Sequence, residues 1–181
     1  MSQEEQDELA ILSNKKGEEL KVLEFQYGAR SVISNYTEAY NYLVNAFNPE
    51  TIIQIHDFGK SIYKYLCQDA KQSYKNGFEI EFRCPEAFIP IQKQTTNSVP
   101  SKLYFICINK ERFNPINFGI DYHKDGYDGC ACFYFDGKQY NFSLYNDNGL
   151  VDVSLIAKQF GGGGHKGAAG FRVKNLNDII K

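Results

Sequence analysis

The sequence predicts an α/β (α+β) fold in which helices come first and strands follow. Up to Asn76 the apolar residues recur at intervals of three and four, which is the spacing of an amphipathic helix. From Phe78 onward the period falls to two, because Phe78, Ile80 and Phe82 alternate with charged residues. The length of 181 residues fits one domain, or one domain with a small appendage.

The first 47 residues are predicted to be a helical lead-in. Residues 2–12 are charged and weakly periodic, which is typical of a frayed end or a weak helix. Residues 20–25 predict a short helix or strand that ends near Gly28. Residues 37–47 carry apolar side chains on one side of a helix.

A long helix is predicted next, over residues 51–74. Asn48 and Pro49 favour a helix start, with Asn as the cap and Pro at the first position. Asn76 and Gly77 favour its end.

The remaining elements are mostly strands. A strand covered on both faces is predicted at 103–108, and a hairpin at 130–144 with a tight turn at Asp136 and Gly137. The other predicted elements are a loop at 92–101, a short helix at 153–160 capped by Asp152 or Ser154, a strand at 171–173 and a terminal turn at 177–180.

Composition excludes several classes of protein. With 20 basic and 22 acidic residues the net charge is -2, which argues against a broad nucleic-acid-binding surface but allows a local phosphate site. The five cysteines include no CxxC pair, so neither a disulfide framework nor a zinc site is supported. Such thiols suit the cytoplasm or another reducing intracellular compartment. No apolar run approaches the roughly 20 residues of a membrane helix.

Two further features are interpreted as structural. The chain has 14 Phe and 13 Tyr, which we interpret as packing residues, and Cys130 and Cys132 alternate as core residues of a strand. Asp121, His123, Asp125 and Asp128 lack EF-hand spacing and are interpreted as a solvated loop.

The segment with the most chemical information is Gly161–Lys166. Four glycines followed by His165 and Lys166 can turn sharply and present consecutive backbone N–H groups beside two donor side chains, which would form a phosphate cradle. The same composition is typical of a flexible loop with a structural histidine. The segment is neither a Walker loop nor a Rossmann GxGxxG motif.

Three short segments, 152–157, 161–165 and 168–171, resemble the signature of the DHH-associated C-terminal domain. That domain belongs to the DHH phosphoesterase superfamily, which includes RecJ-like exonucleases and oligoribonuclease-like enzymes. The resemblance covers about residues 48–174 and implies a mixed β-sheet with flanking helices. It also implies that the glycine loop and its histidine hold a substrate phosphate or terminal nucleotide. The implied substrate-binding residues are Gly161, Gly162, Gly163, Gly164, His165, Lys166, Ser143 and Tyr145.

Two departures from the family pattern change what the resemblance implies. The Asp-His-His triplet of the catalytic half is absent, so no catalytic or metal-binding residue is expected here, and Mn or Mg is expected only in the missing half. Tyr145 follows Ser143-Leu144 where many relatives have Arg; it can stack on a base or form a hydrogen bond. The implied domains are a lead-in at 1–47, a linker helix at 48–76 and the DHH-associated domain at 77–181.

Three functions follow as hypotheses. The chain is a non-catalytic module that recognises a nucleotide or short oligonucleotide phosphate. Alternatively, it is a degenerate relative that serves as a structural subunit with protein partners. As a third hypothesis, it is part of a metal-dependent phosphodiesterase completed by another chain.

Overall fold

A computed structural model describes residues 21–32, 49–84, 101–111 and 113–179. The chain forms two compact units, Met1–Gln68 and Asp69–Lys181. The architecture confirms the predicted fold class: helices precede a six-stranded mixed sheet. None of the helices in the described ranges is both long enough and apolar enough to cross a membrane.

The first unit contains one helix and most of a second, and the two contact each other; the second helix continues into the second unit. Residues 21–32 are helical (α1), and α2 spans Pro49–Lys75. The prediction that the first element ends near Gly28 is wrong, because α1 continues through Gly28 to residue 32. Gly28 instead allows the backbones of the two helices to approach closely, because a Cβ on Gly28 would lie 1.9 Å from the Ile55 carbonyl oxygen. The predicted helix at 37–47 lies outside the described residues.

The predicted bounds of the long helix are confirmed within one or two residues. It begins at Pro49 and ends at Lys75. The Asn76 N–H donates to the Gln72 carbonyl at 3.3 Å, and the Gly77 N–H donates to that of Tyr74 at 3.0 Å, which satisfies two of the last carbonyls.

The sheet belongs to the second unit. Its strands are β1 Phe78–Cys84, β2 Ser101–Asn109, β3 Gly129–Phe135, β4 Tyr140–Tyr145, β5 Gly163–His165 and β6 Ala168–Val173. Their order is β1-β2-β3-β4-β6-β5, and only β2 and β3 pair in parallel. Two 3₁₀ turns, Ile116–Phe118 and Leu176–Asp178, and the helix α3, Val153–Gln159, complete the unit. The loop predicted at 92–101 lies outside the described residues except for Ser101, which begins β2.

The predicted hairpin and the predicted cap of α3 are confirmed, except that the centre of the hairpin turn lies one residue later than predicted. The Asp136 N–H donates to the Gln139 carbonyl at 3.1 Å, so Gly137 and Lys138, rather than Asp136 and Gly137, form the centre of the turn. Gly137 has φ of 93°, a conformation that favours glycine. Asp152 is the N-cap of α3, and its carboxylate accepts from the Ser154 N–H at 3.0 Å.

One face of the sheet packs under α3, and phenylalanines dominate it. Phe133, Phe142, Phe171 and Phe160 stack in succession, with ring centroids 5.2, 5.0 and 4.5 Å apart. Offset stacking of this kind adds about 1 kcal/mol per pair beyond the area it buries. This ladder accounts for part of the aromatic excess and supports the interpretation of these residues as packing.

The other face is covered only in part. Ala70 of α2, Phe113 and Tyr122 pack over Cys130 and Cys132 in the middle of the sheet. Burial raises the pKa of the Cys132 thiol to about 11, which keeps it protonated and unreactive at neutral pH, as expected for a core cysteine. Among the described residues, no buried core residue of this face comes from β4, β6 or β5, although the half-buried Tyr145 packs against the core around Cys130.

Candidate functional site

The open part of the sheet brings several predicted site residues together. Directly opposed residues of antiparallel strands share a face, and the register forms two rows across β4, β6 and β5. The rows are Ser143–Gly170–Gly163 and Tyr145–Ala168–His165. Adjacent strands lie about 4.8 Å apart, so each row is about 10 Å wide. Ser143, Tyr145, Gly163 and His165 therefore surround a strip that has only hydrogen or methyl side chains.

The start of the glycine run terminates α3. Gly161 has φ of 75°, and its N–H donates to the Lys158 carbonyl at 3.1 Å. The Gly162 N–H donates to the Ala157 carbonyl at 2.9 Å. This pattern is a Schellman motif. The expectation that all four glycines present free N–H groups is therefore wrong for Gly161 and Gly162, because both groups satisfy carbonyls at the end of the helix.

Two glycines of the run are required by packing on β6. A Cβ on Gly162 would lie 2.1 Å from the Gly170 carbonyl oxygen, and one on Gly164 would lie 2.5 Å from the Cα of Ala169. Gly163 differs, because its backbone needs no positive φ and a Cβ there would meet nothing within 4 Å. It points to the open face. The fold therefore explains three of the four glycines, whereas nothing in the described residues requires a glycine at position 163.

The side chains around this strip are polar. Burial raises the pKa of the half-buried Tyr145 hydroxyl, while a hydrogen bond from Ser143 opposes that shift. His165 and Lys166 are exposed in the turn between β5 and β6. The backbone of this turn is held in place, because the Lys166 carbonyl accepts from the Val153 N–H at 3.0 Å and the Gly167 carbonyl accepts from that of Asn146 at 3.0 Å.

A cavity of about 510 Å³ adjoins the strip and includes residues that the sequence analysis missed. Tyr134, Asn141 and Arg172 line it together with Ser143 and the backbone around Gly161 and Gly162. The arginines are dispersed along the sequence, so none of them stands out as a site residue there. The period of two along β6 could have indicated that Arg172 shares the face of Gly170, but only the pairing of β4 with β6 places it beside Asn141.

The loop at 121–128 is more ordered than the predicted solvated loop. Asp128 is buried, and its carboxylate accepts from the Tyr104 N–H at 3.0 Å. His123 Nε2 lies 2.8 Å from Asp147 Oδ1, and the Tyr122 hydroxyl donates to the same oxygen at 2.7 Å. These contacts fix the loop to the chain that follows β4.

Asp147 makes this loop contact sensitive to acid. Burial acts to raise its pKa, but hydrogen bonds from Tyr122 and His123 outweigh burial, and the pKa is lowered. A carboxyl with a lowered folded pKa stabilises the fold above its unfolded value of about 3.9, and this contribution is lost as the pH falls through the folded value.

We expect Asp147→Asn to destabilise the protein by about 1 kcal/mol at pH 7 and by less at pH 3, since the wild type has by then lost part of the same contribution. Urea denaturation at pH 7, 5, 4 and 3 measures this. A difference between the two proteins that stays constant across that range would contradict the assignment.

The described residues do not fit a metal centre. Within ranges 21–32, 49–84, 101–111 and 113–179, no three His, Cys, Asp or Glu side chains come together in a way that could hold a metal ion.

Comparison with known proteins found structural similarity but no match to a protein family. Neither a scan against protein-family models nor a search of curated proteins found a match. The chain is similar in structure to PggH from Vibrio cholerae, a pGpG-specific phosphodiesterase, with a TM-score of 0.47 and 15% sequence identity. The match covers 81% of this chain but 47% of that protein, so the chain spans about half its length.

Proposed function

We propose that the unit Asp69–Lys181 is a non-catalytic recognition module for a nucleotide or short oligonucleotide phosphate. The observation that carries this proposal is Gly163, which neither backbone conformation nor packing requires, on an open face between Ser143 and His165. The resemblance of residues 161–165 to the DHH-associated signature supports the same ligand class.

The chemistry of the face suits a phosphate ester. The absent side chain of Gly163 lets an anionic group approach the backbone of β5, which is an edge strand of the sheet among the described residues. Lys166 supplies a positive charge beside it, and His165 supplies a ring N–H. Ser143 and Tyr145 supply hydroxyls at the opposite side of the strip. These groups bind and orient a ligand, and none of them is assigned a bond-breaking step.

Binding of a 5′-phosphorylated dinucleotide, measured by calorimetry, tests the proposal. We expect His165→Ala to weaken binding at least about tenfold, because a hydrogen bond to a charged group is worth about 1.5–3 kcal/mol. Lys71→Ala, at an exposed position on α2, is the matched control and is expected to change affinity less than twofold.

Equal binding by wild type and His165→Ala, or no binding by either, would overturn this role of the glycine loop. Manganese-dependent hydrolysis of the dinucleotide by this chain alone would contradict the non-catalytic part of the proposal.

A structural subunit is the second candidate, and a feature of the first unit favours it. Val22, Ile52 and Ile53 are 56, 41 and 59% exposed, and with Phe25 they line an apolar groove between α1 and α2. Exposed apolar surface of this kind is typical of protein contacts. Purification from the native source tests this candidate, and a free monomer would count against it.

A further inference from the structure

The cavity shares Ser143 with the proposed phosphate site, but three further side chains that line it, Tyr134, Asn141 and Arg172, have no role in the phosphate contacts described above. We propose that it is a nucleobase subsite, which binds the base of the nucleotide whose phosphate lies at Gly163. The inference rests on the proposed function and extends it from a phosphate to a whole nucleotide.

The three side chains form one row on the open face. Tyr134 of β3 opposes Asn141 of β4, and Asn141 opposes Arg172 of β6. β5 pairs only with Ala168–Gly170, so no strand in the described part of the chain flanks Arg172 on its outer side. The row therefore ends in a notch of about 510 Å³, and Gly161 and Gly162 form the notch's wall towards α3.

Asn141 is held in one orientation. Its Nδ2 donates to Asp136 Oδ2 at 2.9 Å and lies 3.4 Å from the Gln139 carbonyl oxygen. The Asp136 carboxylate is itself held by the N–H groups of Lys138 and Gln139, at 2.9 and 3.0 Å. With its amide nitrogen engaged in this way, Asn141 offers Oδ1 to a ligand, and Oδ1 is a hydrogen-bond acceptor.

Arg172 supplies the complementary donors. It is exposed, and none of the residues that the structure describes forms an ion pair with it. Its planar guanidinium matches the paired acceptors at the edge of a base. The ring of Tyr134, half-buried in the same row, offers a flat apolar face on which a base can stack.

The charges favour a base over a second phosphate. Hydrogen bonds from Asn141 and from the N–H groups of Gln139 and Lys138 lower the pKa of Asp136 to about 2, so this carboxylate is ionised at neutral pH. A phosphate in the notch would face the acceptor Oδ1 of Asn141 and would lie near that negative charge, which is one hydrogen bond beyond Asn141. A base carries both N–H donors and ring acceptors, which suit Asn141 and Arg172 respectively.

The spacing suits one nucleotide. Arg172 lies two residues beyond Gly170 along β6, which is about 7 Å, and Gly170 is the direct neighbour of Gly163. A single ribose can span that separation between a phosphate at Gly163 and a base at Arg172.

The test compares ribose 5-phosphate with the four ribonucleoside 5′-monophosphates, using calorimetry on the full chain. We expect wild type to bind at least one nucleotide ten or more times tighter than ribose 5-phosphate. Arg172→Ala is expected to reduce this affinity ratio, nucleotide over ribose 5-phosphate, to less than three. Its affinity for ribose 5-phosphate is expected to stay within twofold of the wild-type value. Arg172→Lys keeps the charge but lacks the planar donors, so its affinity ratio of nucleotide over ribose 5-phosphate is also expected to fall to near that of Arg172→Ala. Lys124→Ala removes one exposed charge elsewhere in the unit and is the control.

The outcomes separate the two proposals. If wild type binds neither ligand, the proposed function fails and the subsite with it. If wild type binds both ligands equally, or if Arg172→Ala keeps the wild-type ratio with unchanged circular dichroism, the phosphate site stands and the base subsite is overturned.

Discussion

Gly163→Ala is expected to leave the stability of the protein unchanged or slightly raised and to weaken nucleotide binding at least about tenfold. Added at this position, a methyl group meets nothing within 4 Å, and replacing Gly at a compatible position reduces the entropy of the unfolded chain. The same methyl group projects onto the open face between Ser143 and His165, where the phosphate would contact the backbone.

Gly162→Ala is the matched variant, with the same chemical change one residue earlier. Its methyl group would lie 2.1 Å from the Gly170 carbonyl oxygen and 2.6 Å from the Cβ of Phe171, neither of which can move without disturbing the sheet. We expect a loss of about 3 kcal/mol in the free energy of unfolding, as for an overpacked core.

Urea denaturation and dinucleotide binding, measured on both variants, decide between the structural and functional interpretations of the glycine run. If Gly163→Ala binds the dinucleotide as tightly as wild type does, the open position has no role in binding. If Gly162→Ala is as stable as wild type, the contact with β6 is not as close as described.

The second large effect is expected at the helix pair of the first unit. A Cβ on Gly59 would lie 1.7 Å from the Glu24 carbonyl oxygen and 2.9 Å from the Gly28 nitrogen. By helix propensity alone, Gly59→Ala should stabilise α2 by about 1 kcal/mol. We expect the opposite sign, a loss of about 3 kcal/mol, because the two helix backbones must separate to admit the methyl group.

Ser61→Ala, at an exposed position on the same helix, is the control and is expected to shift stability by less than about 0.5 kcal/mol. Thermal unfolding followed by circular dichroism measures both variants. A Gly59→Ala protein that melts at or above the wild-type temperature would show that α1 and α2 do not contact each other at Gly28 and Gly59.

Several elements could be predicted from the sequence because their signals are local. Pro49 at a first helical position, Asp152 as a cap and Gly137 in a hairpin turn each act within a few residues of their own position. The alternation of Phe78, Ile80 and Phe82 likewise records which side of a strand is buried. Local chemistry of this kind does not depend on the rest of the fold.

Other features could not be predicted, because residues distant in sequence decide them. A glycine such as Gly28 often ends a helix, yet α1 continues through it. The glycine is needed there because the backbone of Ile55 and Gly59 on α2 lies where a side chain would stand. The strand β5 lies within a glycine run that predicts a loop, and it forms because β6 pairs with it. Arg172 has no distinctive neighbour in sequence and gains its position beside Asn141 only through strand pairing.

The candidate site shows the same division. The sequence by itself determined that a run of glycines followed by His165 and Lys166 lies between a capped helix and a last strand. It could not assign the glycines individually, because four glycines in a row are alike until something packs against them. Only the tertiary structure decided that Gly161 caps α3, that Gly162 and Gly164 contact β6, and that Gly163 points to open space. The physical reason is that the role of a glycine depends on its backbone conformation and on what a side chain there would meet. Gly161 needs a positive φ at the helix end, Gly162 and Gly164 lie against a neighbouring strand, and a side chain on Gly163 would meet nothing.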